Sequence, residues 1–83
     1  MKGGRPITIR GIVIPVDWDE KGKVIAAAVS TYTEDEYLID NDHKGRELLH
    51  FIQEGVEVRG IARQNKDKNM ITVQQYILKK TWE

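Results

Sequence analysis

The stretch NDHKGRELLHFIQEG, residues 41–55, is the one part of this chain with a helical period. Leu48, Leu49 and Ile52 recur on one face with Phe51 at its border, which predicts a short helix over residues 44–53. Asn41 or Asp42 can cap its start, and Gly55 stands where a terminating glycine belongs. Gly45 weakens the first turn and keeps the helix short. Everything on either side reads as strand.

After the helix, Val56 and Val58 face one way opposite Glu57 and Arg59, with Gly60 relaxing the pleat. Beyond the polar loop QNKDKN (64–69), Ile71 and Val73 alternate in the same way, so residues 55–76 form a hairpin. Before the helix, YLIDN (37–41) is a short strand preceded by the turn TEDE (33–36). VIAAAVSTYT (24–33) carries three alanines that suit a helix, but its flanking β-branched residues and small side chains favour a strand packed closely against its neighbours. The loop DEKGK (19–23) joins it to a long first strand, ITIRGIVIPVDW (7–18). There the apolar positions move from Ile7 and Ile9 to Ile12, Ile14 and Val16, which predicts a change of inward face at a bulge or kink on Gly11. Pro15 has no amide donor and belongs where the strand is unpaired on one side.

The order is three strands, a helix, then two strands, in one domain with residues 1–5 as an N-terminal tail. A bent first strand and a helix between the third and fourth strands describe a mainly β, five-stranded Greek-key barrel. A straight SH3-like barrel lacks a helix of this length at that point. The segments RGIVIPVDWDEKGKV, EYLID, KGRELLHFI, GVEVRGIAR and MITVQQY, which span most of the chain, resemble the OB-fold superfamily. They are similar in detail to its small single-domain bacterial members, many without an assigned function. That resemblance implies a ligand lying across the outer face of the second and third strands, flanked by the loops between strands one and two and between strands four and five.

With 83 residues the chain has a small core, and with no cysteine it relies on packing and strand pairing alone. VIAAAV (24–29), the longest apolar run, is far short of a membrane span, and MKGGRP (1–6) opens no signal sequence. The expectation is a soluble cytoplasmic domain, or a periplasmic one if a secretion segment has been removed ahead of Met1. Thirteen basic and thirteen acidic residues cancel. They are unevenly spread: Asp17, Asp19, Glu20, Glu34, Asp35, Glu36, Asp40 and Asp42 outnumber Lys21 and Lys23 in the same stretch. One surface therefore repels polyanions while another attracts them.

Metal and catalytic motifs are not met. DWDEKG (17–22) and DNDHKG (40–45) begin like calcium loops but put Lys21 and Lys44 at the fifth ligand position and Ala28 and Phe51 at the twelfth. His43 and His50 are seven apart with no third ligand in register. Without a phosphate-binding glycine loop, a cysteine nucleophile or a partner for Ser30, the expectation is a non-catalytic protein with no cofactor and no metal.

Two ligand classes remain. Single-stranded nucleic acid needs aromatic platforms beside a positive groove, for which Trp18, Tyr32, Tyr37 and Tyr76 are the stacking candidates. Lys21, Arg59, Arg63, Lys66 and Lys68 are the candidate phosphate contacts, with Lys79 and Lys80 beyond them. The acids Glu34, Asp35, Glu36, Asp40 and Asp42 border the same platform and oppose that reading. A protein partner or a homodimer, joined through the small-residue second strand or through complementary charge, is the alternative.

Overall fold

A computed structural model describes residues 4–79 of the chain. The elements are β1 (Arg5–Trp18), β2 (Val24–Thr31), β3 (Glu36–Ile39), α1 (His43–Glu47) continued by a 3-10 turn (Leu48–Phe51), β4 (Gly55–Asn65) and β5 (Lys68–Lys79). The strands close into a barrel in the order β1-β2-β3-β5-β4. Among the described strands only β3 and β5 pair in parallel, with Leu38 opposite Met70. This is the five-stranded barrel with a helix between β3 and β4 that the sequence predicts, and it is compatible with an OB-like fold.

Period-two alternation sends one residue in two to the interior. Ile9 and Val13 from β1, Ala27 and Val29 from β2, Ile39 from β3, Val56 and Val58 from β4, and Ile71 and Val73 from β5 meet Leu48 in one buried cluster. The barrel has two distinct ends. At one, the hairpin end, β1 and β3 begin, the β4–β5 turn closes, and Ile7 and Tyr37 pack half-buried against the core. At the other, the helix end, lie the β1–β2 loop and the helical segment that connects β3 to β4.

Several local expectations are corrected. The first strand keeps one inward parity: Ile9, Gly11 and Val13 are buried in turn, while Ile12, Ile14 and Val16 lie on the outer face. Gly11 marks a close approach of two backbones. A Cβ there would run into the Ser30 carbonyl oxygen and lie 2.8 Å from Thr31 Cα. The register shifts fall further along, between Pro15 and Asp17 and between Asp17 and Trp18. Pro15 pairs with β2 alone, since the β1–β4 ladder ends at Ile12, as its missing donor requires.

The helix is shorter than its period suggests. Asp42 caps it through a bond from the Gly45 amide (2.9 Å), and the α-helix gives way to the 3-10 turn after Glu47. Gly45 is needed for space: a Cβ would strike the Asp40 carbonyl oxygen and sit 2.9 Å from Ile39 Cγ2. The segment ends because β1 captures Gln53 and Glu54. The Gln53 amide donates to the Val13 carbonyl at 2.7 Å, and the Val13 amide to the Glu54 carbonyl at 3.1 Å. Gln53 takes the left-handed turn (φ 74°), while Gly55 opens β4.

The β2–β3 connection begins one residue earlier than expected, so Tyr32 lies in the turn. The polar tract is mostly strand, and only Lys66 and Asp67 form the β4–β5 turn. β1 starts at Arg5, inside the expected tail. Residues 1–3, Lys80 and Trp82 fall outside the described residues. Among the described residues no helix is long and apolar enough to cross a membrane.

Candidate nucleic-acid interface

The site arises from how the first strand is shared. β1 pairs with β4 from Arg5 to Ile12 and with β2 from Gly11 to Trp18, so the two ladders overlap only at Gly11 and Ile12. Over residues 5–10 the strand has left β2, and a cleft of about 470 Å³ opens between it and the β2–β3 turn. Thr8 and Arg10 form one wall, Thr31, Tyr32 and Asp35 the other, and Tyr37 closes it. A second cleft of about 250 Å³ lies beyond, lined by Arg5, Tyr37, Ala62, Arg63, Gln64 and Asn69. Tyr37 is the wall they share.

The tyrosines are held differently. Tyr32 stands 55% exposed on a tight turn. In that turn the Asp35 amide donates to Thr31 Oγ1 (3.1 Å), Thr33 Oγ1 donates to Asp35 Oδ2 (3.2 Å), and Glu34 is left-handed (φ 71°). Tyr37 is half-buried against the core and presents the rest of its ring to the clefts.

The cations divide by what already binds them. Arg63 grips both oxygens of Asp40 (2.8 Å each) and donates to Thr72 Oγ1 at 2.8 Å, and the Thr72 hydroxyl donates to Asp40. This clamp ties the residue that follows β3 to β4 and β5 and takes up much of the donor capacity of Arg63. Arg10 gives Nε to Glu57 Oε1 at 3.0 Å. Arg5, and Arg59 opposite Thr8, make no side-chain hydrogen bond or ion pair among the described residues.

The residues singled out in the sequence do not form one patch. Tyr32, Tyr37, Arg63, Lys66 and Lys68 gather at the hairpin end, with Arg59 midway along β4. Trp18, 51% exposed, and Lys21 sit at the helix end. There the Asp19 carboxylate accepts the amides of Lys23 (2.9 Å) and Lys21 (2.8 Å), which hold its pKa below the ordinary aspartate range. Tyr76 belongs to that end too. Its hydroxyl donates to Glu47 Oε1 (2.8 Å), its ring centroid lies 6.2 Å from that of Phe51, and Lys44 Nζ stands 6.0 Å from the ring. Burial, then the bond to Glu47, push its pKa up. It stands seven residues along β5 from Asn69, about 23 Å away at strand rise.

Thr8, Arg5 and Arg10 were missed. The sequence signal was available in the long first strand, whose first half needs a partner other than β2 and therefore carries its side chains beside β4. Among the described residues no group of three or more His, Asp or Glu side chains is placed to hold a metal. Neither a known protein-family model nor a curated protein sequence matches this chain.

Proposed function

We propose that this chain is a member of the OB-fold superfamily and a non-catalytic binding module that holds single-stranded nucleic acid weakly at the hairpin end of its barrel. The strand order and the helix position support the superfamily assignment. One observation carries the ligand: Tyr37 is the common wall of two clefts, with Arg10 on one side and Arg5 and Arg63 on the other. A ring between cations suits a base stacked against tyrosine and phosphates drawn to guanidinium groups. Tyr32 offers a second platform at the mouth of the larger cleft. Arg5 and Arg59, whose side chains are uncommitted among the described residues, supply the phosphate contacts, and Arg10 adds the nitrogens not engaged by Glu57.

The outer face of β2 and β3, where the superfamily usually binds, does not take this role. Glu34, Glu36 and Asp67 line it and repel phosphate, whereas Asp35, which lines both this face and the hairpin-end cleft, accepts a bond from Thr33. Fluorescence anisotropy with a labelled oligo-deoxythymidine 12-mer tests the assignment. Tyr37→Leu keeps an apolar side chain against the core and removes the stacking ring, with an expected loss of about 5- to 150-fold in affinity. Arg5→Glu should weaken binding and flatten a salt dependence whose log–log slope is about −2 for three phosphate contacts. Tyr76→Phe should bind as the parent does. Equal affinity for the parent and Tyr37→Leu would rule the site out.

A further inference from the structure

The outer face of the barrel carries a second feature, which meets the nucleic-acid site only at Asp35 and Asn69. A solvated sheet face alternates to polar residues, yet here the outward row from strand to strand is Ile14, Ala28, Leu38 and Met70, each opposite the next in register. Ala28 is 1% exposed between its neighbours, and Val16 adds an apolar side chain that is 37% exposed. Val16, Ala28 and Leu38 form the floor of a groove of about 570 Å³. Glu34, Asp35 and Glu36 line one side and Asp67 the other, with Lys68 the one cation of the lining among the described residues. Glu34, Glu36 and Asp67 make no side-chain hydrogen bond or ion pair among the described residues.

We infer that this groove docks a lysine- or arginine-rich segment of another protein that carries an apolar residue between its cations. The apolar floor calls for an apolar side chain. Four acids against one lysine select cations around it and exclude a polyanion. The two binding surfaces adjoin at Asp35 and Asn69, and each takes its own charge: nucleic acid lies against the arginines of β1 and β4, a cationic protein segment against Glu34, Glu36 and Asp67.

The probe is a fluorescein-labelled peptide in which Lys-Leu-Lys repeats are separated by glycine, compared with the same peptide bearing serine for leucine. Binding to the full chain should weaken at least tenfold in the double variant Glu36→Lys with Asp67→Lys, whose circular dichroism and Tm stay those of the parent. The serine peptide should bind at least fivefold more weakly than the leucine peptide. Oligo-deoxythymidine binding should be retained or strengthened in the double variant, which separates failure of the groove from failure of the hairpin-end site. Three results would each overturn the inference: no peptide binding at low salt, binding unaltered by the double variant, or equal binding of the two peptides. Self-association of the parent in analytical ultracentrifugation that disappears in the double variant would also overturn it, by giving the groove to a second copy of this chain.

Discussion

Leu48 is the residue on which the helix end of the barrel closes, and truncating it to alanine should remove a large part of the stability of the domain. Leu48 is fully buried (0% exposed) within the core cluster, on the 3-10 turn between β3 and β4. Leu48→Ala removes three carbons, worth about 2.4 kcal/mol at about 0.8 kcal/mol for each buried carbon. The space left cannot collapse freely, because closed strands surround it, so a total loss of about 3–5 kcal/mol is expected. A domain of this length has about 4–12 kcal/mol of stability in all. Urea denaturation followed by circular dichroism should show the midpoint falling by about 2 M or more. Ile77→Ala, at a position 55% exposed on β5, is the control and should change stability by about 0.5 kcal/mol or less. A loss below about 1 kcal/mol at Leu48, similar to that at Ile77, would refute the idea that the helical segment plugs the barrel.

Gly11→Ala should destabilise by about 1–3 kcal/mol despite adding one methyl group, because the added Cβ meets main-chain atoms of Ser30 and Thr31 that cannot rotate away; thermal melts check it. Tyr76 has a raised pKa, so its contribution to stability is whole below the unfolded value and is lost as pH rises through the folded one, above about pH 10. The fall in stability above about pH 10 should be shallower in Tyr76→Phe. Asp19 has a lowered pKa, so its contribution is present above the unfolded value near about 3.9 and is lost as pH falls through the folded one. A carboxyl NMR titration should place its midpoint below the ordinary aspartate value, and Asp19→Asn should loosen the β1–β2 loop without moving the hairpin end.

Much of this architecture is written locally. The apolar period around Leu48 gives the helix, and alternation in β4 and β5 gives the last hairpin. The alanines of β2 are a strand because Ala27 and Ala28, on opposite faces, are both buried, at 2% and 1%. The misreadings share one cause. Ile12, Ile14 and Val16 are apolar on the parity opposite to Ile9, and only the register between strands brings Ile14, Ala28, Leu38 and Met70 into one apolar row on the outer face. Capture of Gln53 and Glu54 by Val13 likewise shortens the helix through a contact with a strand far back in the chain. The site divides in the same way. Tyr32 and Tyr37 are legible because one opens and the other follows a turn marked by TEDE (33–36). Arg5 and Arg10 join the site because β1 pairs with β4 and not β2 over residues 5–10, and Tyr76 is kept out of it by its contacts with Glu47 and Phe51.

Whether the hairpin end, and not the outer sheet face, receives single-stranded nucleic acid can be read residue by residue. The measurement is a backbone amide NMR titration with a mixed single-stranded DNA 12-mer, at low and then near-physiological salt. The predicted result is a set of salt-sensitive shifts at Arg5, Thr8, Arg10, Tyr32, Tyr37, Gln64 and Asn69, with Trp18, Lys21 and Tyr76 unmoved. No shifts at low salt, or shifts centred on Ala28 and Leu38, would contradict it.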